Sequence, residues 1–303
     1  MGACIVCGID DSTGAVRAAS VAARLARDLG SRALLVHVAD GGRGLPFGLG
    51  APRVVRARNM RKKLRSIAEE CSFPNGTEVR LERGDPAREL LSVADKEDAE
   101  LMVASSGGTG YASAALVGGV ASALMRSCPC PVVIVPPRAI PPLDPEGMRC
   151  VVCGVEDKDT DVQVVRLAAD LASRLSGDLH VVYGYAPEAA KGAASAVPDP
   201  ALDEELRDAA DGRLALTLAE AGVKAQPHVL LLPAADALEH VADQQRAGLA
   251  VVGPPERNGL DSAVGGSVAI RFAADGSTGL VVLPPEAELE LGSGHYEFVA
   301  GPA

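Results

Sequence analysis

Short apolar runs, rich in β-branched residues, alternate through the first half of the chain with stretches whose apolar residues recur every three or four positions. The runs Cys4–Ile9, Ala33–Val38, Thr77–Leu81, Leu101–Ala104 and Val132–Val135 predict strands, and Thr13–Gly30, Arg53–Cys71, Pro86–Lys96 and Val117–Arg126 predict helices. Most of these strands are apolar at nearly every position, the pattern of a parallel sheet covered on both faces. Such sheets take ligands beyond the carboxyl ends of their strands, where the strand order reverses. The loops after the first, second and fourth strands are therefore the informative ones.

The pattern then repeats. Cys4-Ile-Val-Cys-Gly-Ile-Asp-Asp11 returns as Cys150-Val-Val-Cys-Gly-Val-Glu-Asp157, and Val16, Ala22, Leu25 and Leu29 return at the same offset of 146 as Val162, Ala168, Leu171 and Leu175. Near the end of each half, Val117-Gly-Gly-Val-Ala121 is echoed by Val264-Gly-Gly-Ser-Val-Ala269. The expected organisation is one domain over 1–138, a second over 149–283, a proline-rich joint between them, and an acidic, glycine-containing, poorly ordered tail over 284–303.

Charge separates the two copies. The net charge of −11 argues against nucleic acid as a partner of the whole chain, and 3% aromatic content with no Trp argues against a base-stacking platform. Residues 1–138 hold 18 Lys/Arg against 14 Asp/Glu, whereas 149–283 hold 11 against 20. Arg53–Arg65 carries seven basic residues and no acid, while the corresponding helix of the second copy carries Asp203, Glu204, Glu205, Asp208 and Asp211. A solvated face is the default for such a run; complementary contact surfaces, or a protein partner recruited to the basic helix, are the alternatives. No apolar run approaches the roughly 20 residues of a membrane span, and Met1–Gly8 lacks the layout of a secretory leader. With seven cysteines, an odd number, the protein is read as cytoplasmic with reduced thiols.

After the fourth strand comes Ser105-Ser-Gly-Gly108, and ten residues beyond Gly108 lies Gly118-Gly119 at the start of a helix. Glycine-rich turns before an exposed helix amino terminus make anion cradles, although such clusters are more often simply turns. The second copy offers Gly253-Pro-Pro-Glu256, with Gly266-Ser267 ten residues beyond Glu256. These motifs, with Gly8-Ile9-Asp10, Gly84-Asp85-Pro86-Ala87 and Pro129-Cys130-Pro131-Val132, resemble a tandem of two universal stress protein domains covering about residues 3–283.

The resemblance implies two α/β, doubly wound, parallel five-stranded sheets of order 3-2-1-4-5, the adenine nucleotide alpha hydrolase-like fold. It also implies ATP, with Mg²⁺, as a regulatory ligand. The family motif Gly-x2-Gly-x9-Gly-(Ser/Thr) maps onto Ser105, Gly108, Gly118 and Gly119, and onto Gly253, Glu256, Gly266 and Ser267. Asp10 and Val38 at neighbouring strand ends, and Val120 behind Gly119, complete the candidate nucleotide-contacting set. Ser105 places a side chain where backbone should approach phosphate, Gly119 deletes a hydroxyl, and Glu256 sets a carboxylate beside a polyanion. The first copy is thus the better site. A ligand-free interaction scaffold and a slow ATPase are the alternatives. Relatives pair through the fifth strand, so Val132–Val135 and Leu280–Leu283 are expected at edges that join the copies as a pseudo-dimer, with a homodimer of chains left open.

Catalysis finds little support. The five His are scattered, and His37 and His180 in apolar runs read as satisfied core residues. Asp10 and Asp11 read either as Mg²⁺ or ribose ligands or as turn formers. Cys4/Cys7 and Cys150/Cys153 have metal-like spacing, but residues three apart on a strand face opposite sides, so buried thiols are the expectation and no metal site is. Cys128 and Cys130 would be redox-active only if exposed.

Overall fold

The predicted elements of the first half form as β1 (Cys4–Gly8), α1 (Thr13–Asp28), β2 (Arg32–Asp40), α2 (Arg53–Glu70), β3 (Glu78–Gly84), α3 (Pro86–Lys96), β4 (Ala99–Ser105), α4 (Gly119–Ser127) and β5 (Val132–Val135). The second half repeats them as β6 (Cys150–Val155), α5 (Asp161–Arg174), β7 (Asp178–Gly184), α6 (Pro200–Ala221), β8 (Gln226–Leu230), α7 (Ala234–Gln245), β9 (Leu249–Val252), α8 (Val268–Asp275) and β10 (Gly279–Val282). The structure is a computed structural model, and it describes residues 3–40, 53–107, 117–139, 148–185, 200–255, 267–284, 287–291 and 296–300.

Each half has the strand order 3-2-1-4-5, but two separate parallel sheets do not occur. One ten-stranded mixed sheet runs β3-β2-β1-β4-β5-β10-β9-β6-β7-β8. The halves join where β5 pairs antiparallel with β10, Val132 opposite Val282, Val133 opposite Val281 and Ile134 opposite Leu280. All other pairings in the sheet are parallel. The reason is burial: Val132–Val135 and Leu280–Val282 are at most 2% exposed, and each such side chain is worth about 1.5–3 kcal/mol when fully buried. Left as edges, both strands would offer that surface and an unpaired backbone to water.

Alternation along the strands divides the core in two. Ile5 and Cys7 point to the face covered by α1, α2, α5 and α6, whose contributions include Leu25, Leu64, Leu171 and Leu214. Cys4 and Val6 point to the face covered by α3, α4, α7 and α8, through residues such as Leu90, Leu124, Leu238 and Phe272. The Cys-x2-Cys pairs are therefore split across the sheet, Cys4 and Cys150 on one face and Cys7 and Cys153 on the other. Burial pushes the Cys4, Cys7, Cys150 and Cys153 thiols up.

Local signals set the helix starts. Ser12 caps α1, its Oγ accepting from the Ala15 amide at 3.3 Å. Asp85 caps α3 by accepting from the Arg88 amide at 2.9 Å, with Pro86 at the first helical position. An alanine-rich face, including Ala15, Ala18, Ala19, Ala22 and Ala26, lets α1 lie close against the sheet.

Ala287–Leu291 (β11) and Tyr296–Ala300 (β12) pair antiparallel as a two-stranded sheet. Alternating Leu289 and Leu291, and Phe298 with Val299, give this segment enough β propensity to pair with itself despite its acids.

Candidate functional site

At the carboxyl end of β1, Asp10 turns the chain into α1. Its Oδ1 accepts from the Ser12 amide at 3.0 Å and from Ser12 Oγ at 2.5 Å, an Asx turn that also holds the capping hydroxyl. Asp11 does different work: it receives Lys63 Nζ of α2 at 2.6 Å, and this bond holds its carboxyl below the usual carboxylate range. The second copy repeats the tie, since Asp157 binds Arg213 of α6 and the Tyr183 hydroxyl. The second acid after the first strand of each copy therefore fastens the second helix.

Ser105, at the end of β4, turns toward α1. A Cβ placed on Gly14 would lie 3.0 Å from Ser105 Cβ, and Ser105 Oγ donates to the Gly107 carbonyl at 2.7 Å. At the equivalent contact in the second copy Gly253 faces Thr160, and a Cβ on Gly253 would lie 3.3 Å from Thr160 Oγ1. Each copy thus has one glycine and one hydroxyl residue at this contact, with the order exchanged. Ser105 Cβ thus packs against Gly14 while its hydroxyl turns onto the start of the loop at Gly107.

Gly118 is the extended residue before α4 and makes no side-chain cap. Its amide donates to the Ser106 carbonyl at 2.8 Å, and the Ser106 amide donates to Val135 O at 3.1 Å, so the loop is closed at its base. The first-turn amides of Gly119, Val120 and Ala121 have no acceptor within the helix. Among the described residues, none lies within 4 Å of where a Cβ would stand at Gly107 or Gly119. Asp10 and Val38 stand at the ends of the adjacent strands, Val38 half-buried against the α3/α4 core. Asp10, Val38, Ser105, Gly118, Gly119 and Val120 thus belong to one end of the β2-β1-β4 strands, while Gly108 lies outside the described residues.

The same place in the second copy is built differently. Glu156 pairs with Lys158 at 2.9 Å, and the amides of both residues donate to Asp161 Oδ2 at 3.0 Å. Asp161 is buried, and desolvation raises its carboxyl above the usual range. By strand register Gly184 takes the place of Val38. A Cβ there would lie 2.8 Å from Ala234 Cα and 2.9 Å from Leu232 O, because the β8–α7 connection is pressed onto the strand end. Ser267 precedes α8 without capping it through its side chain. Glu256 and Gly266 lie outside the described residues.

Other candidates settle into structural places. His37 Nδ1 lies 2.8 Å from Ile9 O. His180 and His228 form a stacked pair, Nδ1 to Nε2 2.9 Å. Cys128 and Cys130 are buried with sulfurs 3.6 Å apart, and the hydrogen bond they share holds the Cys128 thiol below the usual range while it and burial raise Cys130. The sequence reading missed Lys63, Lys158, Asp161 and Arg17, whose Nε is buried without an acceptor among the described residues. For Lys63 the repeat held a signal, because Lys63 and Arg213 keep the same spacing to the buried Leu64 and Leu214.

Comparison with known proteins agrees with this architecture. The Universal stress protein family matches residues 4–136 and again 148–284. A universal stress protein of Thermus aquaticus, from the QAH/OAS sulfhydrylase 3′ region, is 31% identical over 135 residues, which is 43% of this chain and 96% of that protein. A solved universal stress protein of Archaeoglobus fulgidus covers 93% of this chain, and the chain 98% of it, with 13% identity and a TM-score of 0.63. PA1789 of Pseudomonas aeruginosa PAO1, described as functionally unknown, aligns over 94% of this chain and 93% of its own at 17% identity and a TM-score of 0.58. Among the described residues no helix is long and apolar enough to cross a membrane. Two matches in tandem, each spanning one half of the ten-stranded sheet, establish that the chain belongs to the universal stress protein family as an internal duplication of its domain.

Proposed function

We propose that the first domain binds ATP as a regulatory ligand in a cytoplasmic stress response, without turning it over, and that the second domain does not bind nucleotide. The observation that carries this reading is the uncapped start of α4, with no described residue crowding the Cβ positions of Gly107 and Gly119, at strand ends that also present Asp10 and Val38. Backbone amides there suit a polyphosphate, and Val38 supplies an apolar flank for a base. The nucleotide would bring Mg²⁺ on its own phosphates, since Asp10 and Asp11 are engaged with Ser12 and Lys63. Against a site in the second domain stand the Glu156 carboxylate, already paired with Lys158 at the position of Asp10, and the β8–α7 backbone in the place of the Val38 side chain.

A ligand-free scaffold is favoured by one observation, the Gly118 amide already satisfied by Ser106. Denaturing freshly purified protein and counting the released nucleotide by chromatography and mass spectrometry separates the readings. About one ATP per chain, lost in Gly118→Asp and kept in Gly266→Asp, is the expected result. No nucleotide, and no binding when millimolar ATP–Mg²⁺ is returned, selects the scaffold. Steady release of ADP by the loaded protein selects a slow ATPase.

A further inference from the structure

The basic and acidic helices occupy equivalent places in the two halves. Leu64 of α2 and Leu214 of α6 are each fully buried in the same core layer, and Lys63 and Arg213 beside them make the matching ties to Asp11 and Asp157. With the helices aligned on these residues, Arg58 falls where Asp208 stands and Arg61 where Asp211 stands. The surface charge is reversed at equivalent points of one fold.

Arg58, Arg61, Lys62 and Arg65 follow the i, i+3, i+4, i+7 spacing of one helix face, and with Arg83 at the end of β3 they line an open groove of about 770 Å³. All five are exposed, and none has an acidic partner among the described residues. On α6, Glu204, Glu205, Asp208 and Asp211 are likewise exposed and form no ion pair among the described residues; the helix's own cations are the exposed Arg207 and Arg213, the latter committed to Asp157. Each helix carries a cost in self-repulsion that a surface of opposite charge would remove.

These two faces cannot meet within one chain. Helix α2 lies over β2 and β3 at one end of the sheet, and α6 beside β8 at the other, with the full ten strands between them, on the order of 40 Å. Both sit on the same face of the sheet. The chain therefore presents a positive end and a negative end facing away from each other.

The geometry points to a second copy of this chain as the partner: α2 of one molecule docks against α6 of the next, head to tail. A small anion would need only the cations, yet the same two ends also carry exposed apolar side chains. Among the described residues the exposed large hydrophobics are Val54 (79%) and Val55 on α2, Leu216 (64%) on α6, Leu231 just after β8, and Val16 on α1. Apolar contact supplies the area, and charge sets partner choice and register. Since each molecule offers both halves of the interface, the contact is heterologous and propagates to a ring or a row. It is separate from the β5–β10 seam and independent of nucleotide.

Sedimentation velocity on the full chain tests this at about 0.01 M and about 1 M NaCl, where the Debye lengths are roughly 30 and 3 Å. The expected result is an average mass that rises with protein concentration at low salt and falls to that of one chain at high salt. Reversing α2 (Arg58→Asp, Arg61→Asp, Lys62→Asp, Arg65→Asp) makes both ends acidic, and reversing α6 (Glu204→Lys, Asp208→Lys, Asp211→Lys) makes both basic. Each variant alone should stay a single chain at low salt with an unchanged circular dichroism spectrum, and an equimolar mixture should assemble again. That recovery also shows both variants folded. The proposal is overturned by a wild-type chain that remains single at low salt, by assembly that survives either reversal, or by a mixture that fails to assemble. Saturable binding of tripolyphosphate by a wild-type chain that stays single would assign the groove to small anions instead.

Discussion

Gly14 and Ser105 occupy a contact with room for one side chain, and Thr160 and Gly253 fill its counterpart with the roles exchanged. Gly14→Thr should therefore destabilise the protein by about 1–3 kcal/mol, the usual cost of overpacking. Gly14→Thr with Ser105→Gly recreates the arrangement of the second copy and should recover most of that loss. Urea denaturation of the two single variants and the pair measures the coupling, expected at about 1 kcal/mol or more for residues in contact. Additive effects would mean that the contact is not shared. The departure of Ser105 from the family motif is thus a packing exchange. It could not be read from the loop alone, because its explanation sits in a helix some ninety residues earlier in the chain.

Among the elements, the β7–β8 pair holds its own titratable device. The imidazoles of His180 and His228 are kept below the usual His range, burial being the main cause for both, with Asp178 opposing it at His180. Depressed folded values mean that the unfolded chain takes up protons first as pH falls below ~6.5. The stabilisation from this pair is therefore present above that pH and lost below it. Stability should decline between about pH 7.5 and pH 5, and His228→Gln, which removes one titrating ring, should flatten that decline in denaturation curves taken across the range.

Element boundaries were legible where chemistry marks them. Pro86–Lys96 and Val132–Val135 emerge as predicted, the helix because Asp85-Pro86 announces its start and the strand because Pro131 and Pro136 bracket it. Strand β3 runs on past Leu81 to Gly84, since Glu82 and Arg83 on an edge strand give no apolar signal. Helix α4 begins at Gly119, two residues later than expected, because Gly118 stays extended to hydrogen-bond Ser106. Of the candidate site, glycine and acid positions could be named from motifs, whereas the Lys63–Asp11 and Glu156–Lys158 pairs depend on how helices and turns fall in space.

For the whole molecule, the repeat, the strand order within each half and the apolar fifth strands were readable, and the single ten-stranded sheet follows from pairing the last two. One shared sheet with two continuous core layers should unfold as a unit. Val281→Asp sets an unpaired carboxylate opposite Val133 in the buried seam and should cost about 3–5 kcal/mol. It should also split one denaturation transition into two, the halves reporting separately in hydrogen exchange. A single transition in both proteins would show that the seam is not what couples them.

In a homodimer of one-domain chains, any substitution appears on both sides of the two-fold axis at once, so no change can be tried in one half only. The β5–β10 pairing inside a single chain lifts that restriction. Each half can change while the other stands, which is how the same fold comes to bear arginines on one helix and aspartates on its twin, and Val38 at one strand end where the other has Gly184. The molecule is a heterodimer by construction, with its subunits fixed at equal numbers and unable to exchange.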